Sequence, residues 1–251
     1  MNWRMMWATT VRVLQQLRSD PRSIALILVV PSVLLAVVYW LYQNETLPPG
    51  VPRTFDRVGL MMLAIFPFVV MFLVTSITML RERTSGTLER LLTTPIHKGD
   101  LLFGYALAFS LMAALQSVVA TAVAYWVFGM SILGNAGWVV LVAVVNSVLG
   151  VALGLLCSAF ATTEFQAVQF MPVVVIPQIL LCGLVVARDQ MSNVLEAIAN
   201  VLPLTYSVDA LQEIAKNSQA TSSMATDLVV VAGFVVAVLL LASLTLRRRT
   251  A

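Results

Sequence analysis

The chain has 251 residues, of which 60% are apolar and 11% are charged. Soluble domains are typically about 45–50% apolar and about 25% charged, so this composition excludes an ordinary water-soluble enzyme. It also excludes a disordered chain, which needs low hydrophobicity and high charge. The formal net charge is only +3, so the positions of the charges are more informative than their sum. The sequence therefore predicts an all-α membrane protein that crosses the bilayer several times.

Residues 1–22 form an amphipathic pattern that is too polar to cross a bilayer. On a helix, one face carries Trp3, Met6, Trp7, Val11, Leu14 and Leu17, and the other carries Arg4, Arg12, Gln15, Gln16 and Ser19. A helix of this kind lies flat at the membrane interface, with its tryptophans at the headgroup level. Asp20 and Pro21 are expected to end it. Because the basic part is too long for a cleaved signal peptide and no small-residue cleavage site follows, we expect the segment to be retained.

Six apolar runs are long enough to cross a membrane, which requires about 20 largely apolar residues. They are residues 24–42, 58–80, 101–128, 136–161, 168–187 and 228–246. Residues 188–227 contain two shorter helical patterns, neither of which can span. Backbone that enters a bilayer without crossing it must be covered by protein or by a watery cavity. We therefore expect these residues to form either surface helices or a re-entrant hairpin before the sixth span.

The distribution of lysine and arginine predicts the orientation of the spans. Basic residues concentrate before the first span, in the loop after the second and after the sixth, whereas the remaining connections hold only Arg53, Arg57, Arg188 and Lys216. Cytoplasmic segments of membrane proteins carry the excess of basic residues. We therefore predict that both termini are cytoplasmic and that residues 188–227 and the first connection between spans lie outside.

The spans carry no internal aspartate, glutamate, lysine, arginine or histidine. Ion-coupled carriers place such groups near the middle of the membrane, so their absence disfavours that class. Neither Lys98 nor Lys216 follows a glycine, as the lysine of a phosphate-binding loop does. Two cysteines and one histidine predict no metal site. We therefore expect no catalytic residue, no cofactor bound by this chain and no nucleic-acid partner, so that uphill transport would need energy from a partner protein.

The cytoplasmic loop at residues 81–100 contains a short helical pattern. Leu88, Leu91 and Leu92 are spaced to share one face of a helix, and Pro95 ends it. The pattern predicts a helix that lies across the membrane ends of the spans, with leucines on one side and charges on the other. The alternative is a solvated loop that only carries the positive charge of the cytoplasmic side.

Gly150 and Gly154 in the fourth span are separated by three residues. Small residues at this spacing let two helices approach closely. We expect this pair to serve packing within the chain, with dimerisation as the alternative.

Two motifs give the chain a family resemblance. The loop reads Arg-Glu-x-x-x-Gly-Thr-Leu-Glu-x-Leu-x-x-x-Pro from Arg81 to Pro95, directly after the second of the six spans. Before the last span, residues 202–211 read Leu-Pro-Leu-Thr-Tyr-Ser-Val-Asp-Ala-Leu. Together with the amphipathic start and the six spans, these motifs resemble the permease subunits of bacterial type-2 ABC exporters, which include exporters of drugs, lipid conjugates and polysaccharides.

The resemblance implies roles for three groups of residues. The coupling helix, seated in a groove of a separate ATPase subunit, would involve Arg81, Glu82, Gly86, Thr87, Leu88, Glu89, Leu91 and Leu92. The re-entrant external gate would involve Leu202, Pro203 and Tyr206. The pathway, lined mainly by the second and fifth spans, would involve Phe66, Phe68, Met71, Phe72, Gln169, Phe170, Met171 and Gln178. For the pathway residues, contact with lipid or with neighbouring helices is the alternative.

The resemblance also implies partners and a location. Two permeases, identical or homologous, would pair with two ATP-binding subunits that hold ATP and Mg²⁺, among the lipids of a bacterial plasma (inner) membrane. The predicted function is therefore the membrane-spanning subunit of an ATP-driven exporter that moves an amphiphilic or hydrophobic molecule outward, such as a drug, a lipid or a glycoconjugate. The alternatives are a scaffold or assembly factor that docks through the loop without transport, and an ion-coupled carrier.

Overall fold

The computed structural model describes residues 3–48, 51–92 and 97–245. Within these residues the regular structure is helical, and no strand is present. The helices are α1 (Trp3–Arg18), α2 (Pro21–Tyr42), α3 (Thr54–Thr84), α4 (Thr87–Leu92), α5 (Lys98–Ala122), α6 (Ala136–Ser158), α7 (Glu164–Leu181), α8 (Asn193–Ala199), α9 (Pro203–Lys216) and α10 (Ser222–Thr245). α5 continues as a π-helical turn, Val123–Val127, and a 3-10 turn, Arg188–Gln190, precedes α8.

The number of candidate membrane spans agrees with the sequence prediction. In the described part of the chain, α2, α3, α5 with its π-helical turn, α6, α7 and α10 are long and apolar enough to cross a membrane. α8 and α9, which we call the hairpin, come before the last of them and meet at an angle of 87°. The predicted all-α fold, with six spans and a helical hairpin before the sixth, is therefore confirmed.

The helices extend beyond the predicted apolar runs because their charged ends are also helical. α3 has 31 residues and is about 46 Å long, whereas the hydrocarbon core of a bilayer is roughly 30 Å thick. The apolar run 58–80 covers only its middle. Residues 81–84 belong to α3 and residues 98–100 belong to α5, so the loop predicted at 81–100 is shorter.

The fifth span differs most from its predicted bounds, residues 168–187. α7 begins earlier, with Thr163 as its N-cap, and has ended before Gly183. Gly183 has a φ of 89°, a left-handed conformation that commonly ends helices. Pro172 and Pro177 lie inside α7, which continues as a helix through both.

α3 lies at the centre of the bundle. In its most apolar stretch 72% of the residues are buried, against 17% in α2 and α7 and 22% in α10. α6 packs directly on it, because a Cβ added at Gly150 would lie 2.4 Å from the backbone oxygen of Phe68. A Cβ at Gly154 would lie 2.6 Å from the backbone oxygen of Phe72. Only glycine permits backbones this close, so the pair packs within the chain, as expected.

α1 packs along α5 through small residues. The hydroxyl of Thr10 donates to the backbone oxygen of Gly104 at 3.1 Å, and a Cβ at Gly104 would lie 2.6 Å from that of Thr9. The buried residues of α1 are Met6, Thr9, Thr10, Val13 and Leu17. Trp3 and Trp7 are exposed. The predicted apolar face is therefore corrected, since the two threonines turn inward to oppose a glycine.

Asp20 separates α1 from α2, as the sequence predicts. Its Oδ1 accepts hydrogen bonds from the backbone N–H groups of Arg22 and Ser23 at 3.2 and 3.3 Å, and its Oδ2 accepts one from the Ser23 hydroxyl at 2.7 Å. The hydrogen bonds from Ser23, led by that of its hydroxyl, hold the pKa of the Asp20 carboxyl below its usual value. Pro21 then begins α2, a position at which the missing N–H costs no helical hydrogen bond.

Candidate functional site

The predicted loop motif begins in the last turns of α3. Arg81 donates from Nε and Nη2 to the two carboxylate oxygens of Glu164, at 2.7 and 3.0 Å, and so ties α3 to the start of α7. Glu82 is 4% exposed, and its Oε1 lies 3.7 Å from Nη2 of Arg12. Arg12 also donates to the hydroxyl of Tyr105. Arg12, predicted on the polar face of α1, is therefore the charged partner that a buried carboxylate needs.

Leu88 and Leu91 of α4 turn toward the chain's own helices. Gly86, with a φ of 71°, reverses the chain from α3 into α4. Leu88 is 5% exposed and Leu91 is half-buried, and both belong to an apolar cluster that includes Val13 and Leu17 of α1. Leu88 was predicted to fill a groove of a partner protein. Its side chain instead lies in the chain's own apolar cluster and, at 5% exposure, is not accessible to a partner in this conformation.

The remaining residues of the loop motif are described in part. Thr87 is half-buried at the start of α4, and Arg90 is exposed. The side chains of Glu89 and Leu92, and Pro95, which was predicted to end the helix, lie outside the described residues. Arg90 places one charge on the side of α4 away from Leu88, and the charged face as a whole stays a prediction.

The three predicted gate residues lie at the bend of the hairpin. Leu202 is half-buried and directly precedes α9, and Pro203 is the buried first residue of α9. The hydroxyl of Tyr206 donates to the backbone oxygen of Asn200 at 2.7 Å. The motif therefore forms the bend itself, with tyrosine closing it by a hydrogen bond across the gap between the two helices.

Arg188 holds the same bend from the side of α7. Its Nη2 lies 2.8 Å from Oδ2 of Asp209, and its Nη1 donates to Oδ1 of Asn200 at 3.2 Å. Asp209 belongs to the second sequence motif, but sequence reasoning gave it no role. Its partner, 21 positions earlier in the chain, carries no pattern that would have identified the pair.

The hairpin enters the bundle. The hydroxyl of Ser207 in α9 donates to Oδ1 of Asn146 in α6 at 2.9 Å, and Asn146 is fully buried. Asn146 lies ten residues beyond Ala136, the start of α6, which corresponds to about 15 Å along the helix. Ser207, in the second turn of α9, therefore lies beside the interior of α6 and not beside its end, which favours a re-entrant hairpin over helices at the surface.

The two helices of the hairpin are held differently. α9 buries one face, formed by Pro203, Leu204, Thr205, Ser207, Val208, Ala210, Leu211 and Ile214. Within α8, all of which is described, only Ala199 is buried. Val194 and Val201 are 70% and 68% exposed. α9 is therefore the anchored helix, whereas α8, which contacts α7, buries little of its surface.

The predicted pathway residues do not share one surface. On α3, three of the four residues are fully buried, namely Phe68, Met71 and Phe72, and Phe66 is half-buried. On α7, burial varies from residue to residue: Gln169 is exposed, Phe170 and Met171 are half-buried, and Gln178 is buried. The buried α3 residues line no open surface in this conformation because α3 is surrounded by the other helices. On α7, Gln178 donates from Nε2 to the backbone oxygen of Val174 at 2.9 Å.

Residues 4–215 match the family described as ABC-2 type transporter. The chain belongs to this family. Its membership and its six candidate spans make it a multi-pass membrane protein. The match covers α1 in part, all of α2–α8 and almost all of α9, and so includes both regions described above.

Curated relatives of this ABC-2 chain share about a quarter of its residues over the matched segments. It is 27% identical over 153 residues to the probable multidrug ABC transporter permease YbhR of Escherichia coli (strain K12), which covers 61% of this chain and 42% of YbhR. It is 26% identical over 160 residues to the linearmycin resistance permease protein LnrN of Bacillus subtilis (strain 168), with 64% and 40% covered.

A eukaryotic relative is ABC transporter G family member 20 of Dictyostelium discoideum, 27% identical over 153 residues, with 61% of this chain and 21% of the relative covered. The chain thus spans about a fifth to two-fifths of the length of these relatives. The similarity extends over most of this chain but over a minor part of each relative.

Proposed function

We propose that this chain is the membrane-spanning subunit of an ATP-driven exporter that moves an amphiphilic or hydrophobic substrate outward. The observation that carries the proposal is the family match over residues 4–215, which includes the α3–α4 junction and the hairpin. The relatives YbhR and LnrN are named for multidrug transport and for linearmycin resistance, and these names favour a drug-like substrate over an ion.

The proposal assigns ATP and Mg²⁺ to a separate ATP-binding subunit. The lack of a glycine–lysine phosphate-binding loop in the sequence supports this assignment. Two ATP-binding subunits would act on a pair of permeases, formed by two copies of this chain or by this chain and a homologue. The basic residues around α1 and α4 favour a cytoplasmic position for that end of the bundle, and the bacterial relatives favour the plasma membrane.

In this proposal α4 receives the movement of the ATP-binding subunit through its charged side. Leu88 and Leu91 lie in or against the apolar cluster that includes residues of α1, α3 and α5, so a displacement of α4 would be passed to the helices that form this cluster. Arg81 and Glu82 tie the end of α3 to Glu164 and Arg12, so the junction is held on both sides. Glu89 and Arg90 are then the residues of α4 proposed to meet the partner.

The test is a charge reversal, Glu89→Arg, in a complex of this chain with a P-loop ATPase encoded beside it. Reversing a charge at an interface adds repulsion to the lost attraction, so we expect the amount of co-purified ATPase to fall about tenfold or more. The control is Glu196→Arg, which reverses an exposed charge on α8, the hairpin helix proposed to face outward, and should leave co-purification unchanged. Equal ATPase recovery from both variants, at equal expression, would contradict the docking role of α4.

A further inference from the structure

The contact between α3 and α6 repeats every four residues on both helices. Along α6, Asn146, Gly150 and Gly154 face in turn the backbone oxygens of Ala64, Phe68 and Phe72 on α3. The first contact is a hydrogen bond of 2.9 Å from the Asn146 amide, and at the other two a Cβ would lie within 2.6 Å of the oxygen. The two helices therefore run in the same direction with their residues in constant register.

A contact of this kind leaves little freedom for the helices to slide. At Gly150 and Gly154 the α3 oxygens face backbone, which cannot rotate away to make room, and at Asn146 a rotamer change would break the hydrogen bond to Ala64. Close-packed interiors transmit displacement because they cannot be compressed. α3 and α6 can therefore be treated as one rigid pair.

One end of this pair leads to α4. The Arg83 guanidinium donates from Nη1 to the backbone oxygen of Ser158, the last residue of α6, at 2.5 Å. Arg83 precedes the α3–α4 turn at Gly86 by three residues. Any displacement of the start of α4 therefore acts on α3 and α6 together.

The other contact of the pair leads to the hairpin. Asn146 accepts the hydrogen bond of the Ser207 hydroxyl while it donates to Ala64, so a single amide joins α3, α6 and α9. From Ala64 to Arg83 the rigid pair measures about 28 Å at the helical rise. α8 follows α9, since the Thr205 hydroxyl donates to the backbone oxygen of Ala199 at 2.9 Å across the bend.

We propose that Asn146 is the positioning residue that couples the hairpin to α4, with the α3–α6 pair as the rigid connection between them. This inference rests on the proposed function, in which a partner ATPase displaces α4. Displacement of the pair then carries the Ser207 hydroxyl and α9 with it, and α8, which buries only Ala199, changes its position at the end of the bundle away from α4. Without the Asn146–Ser207 bond, α4 still moves α3 and α6, but α9 is then held to them through its apolar face, a non-directional contact that does not fix its position along them.

The test uses the complex of this chain and its ATPase in proteoliposomes. The informative variant is Ser207→Ala, which removes the donor to Asn146 and leaves the α3–α6 contacts intact. Its matched control is Ser117→Ala, which removes a comparable buried bond, the 3.0 Å pair of Ser117 and Ser147 between α5 and α6, without reaching the hairpin. Ser207→Thr keeps the hydroxyl and serves as the conservative variant.

Two quantities are measured for each variant, the rate of ATP hydrolysis and the ATP-dependent change in the labelling rate of Val194→Cys by an impermeant maleimide. The native cysteines are replaced in all variants. Val194 is on α8 and 70% exposed, so its labelling reports on the hairpin and needs no knowledge of the substrate. If Ser207 only stabilised the fold, Ser207→Ala would lower the rate of ATP hydrolysis and the labelling change together.

The wild-type complex should hydrolyse ATP and show an ATP-dependent change in labelling. Loss of a buried hydrogen bond shifts a conformational equilibrium by about tenfold, so Ser207→Ala should lose most of this change while hydrolysis stays within about twofold of wild type. Ser117→Ala and Ser207→Thr should respond like wild type.

Three results would overturn the inference: a retained labelling change in Ser207→Ala, an equal loss in Ser117→Ala, or a hydrolysing wild-type complex without any labelling change. Absence of a bound and active ATPase in the wild type would instead refute the proposed function itself, and the inference with it.

Discussion

Replacement of Gly150 by alanine tests the packing of α6 on α3 directly. The added Cβ would lie 2.4 Å from the backbone oxygen of Phe68, whereas ordinary van der Waals contact begins at 3.4 Å. Because the obstructing atom belongs to the backbone, no side-chain rotation relieves the contact. One of the two helices must move by about 1 Å, and the neighbouring contact at Gly154 resists that movement.

The expected cost combines two opposing effects. Overpacking of a well-packed core costs about 1–3 kcal/mol, and alanine in a helix interior is more favourable than glycine by about 1 kcal/mol. A clash with backbone belongs to the upper part of the first range, so the net loss in the free energy of unfolding is about 2 kcal/mol. For a chain of this size, Gly150→Ala should lower the midpoint of thermal unfolding by about 4–8 °C.

The assay is thermal unfolding in detergent, followed by the loss of monodisperse protein in size-exclusion chromatography. Gly233→Ala is the matched control, because Gly233 is also inside a span, in α10, and a Cβ there meets no atom within 4 Å. Its midpoint should be unchanged or higher. Equal midpoints for the two variants would refute the packing argument. Loss of dimer with an unchanged midpoint in Gly150→Ala would point to the dimerisation alternative instead.

Three further outcomes are expected. Leu88→Ala should destabilise the isolated chain by about 2–5 kcal/mol, because a 5% exposed leucine leaves a cavity, and a wild-type unfolding midpoint would show that Leu88 does not face the core. The hydrogen bonds that lower the pKa of Asp20 stabilise its charged form. The wild-type chain should therefore be more stable than Asp20→Asn above about pH 4, and this advantage should fall as the pH drops through the lowered pKa. A difference between the thermal unfolding midpoints of the two chains that does not change with pH would contradict this. Single cysteines at Thr54 and Ser222, without the native cysteines, should react with an impermeant reagent from outside the cell, and reaction only after permeabilisation would reverse the proposed orientation.

The spans could be predicted because hydropathy is a property of whole segments. A run of apolar residues must avoid water whichever helix it faces, so all six were found without knowledge of their neighbours. The ends of the helices were predicted less well. Backbone hydrogen bonding continues through charged residues such as Arg81 and Glu82, and α7 ends near Gly183 because of a local backbone conformation to which hydropathy is insensitive.

Side-chain roles could not be predicted where they depend on the opposing helix. Periodicity placed Arg12 with the polar residues of α1 and Leu88 with the leucines of α4. It gave no indication that Arg12 would pair with Glu82 or that Leu88 would join the apolar cluster that includes Val13 and Leu17. Asn146 was missed although a signal was present, since it lies four residues before Gly150. A polar residue that continues a small-residue pattern in a span is a strong indication of a close helix contact.

The measurement that tests the central proposal most directly is transport by the reconstituted complex. Purified chain is placed in proteoliposomes alone, with its ATPase partner, or with an ATPase variant that binds but does not hydrolyse ATP. In each sample the movement of a fluorescent amphiphilic drug across the membrane is followed with and without ATP, and with and without an ion gradient. The account predicts movement only with ATP and the active ATPase. Movement by the chain alone along an ion gradient, or stable ATPase binding without any movement of a panel of amphiphilic compounds, would contradict it in favour of a carrier or a scaffold.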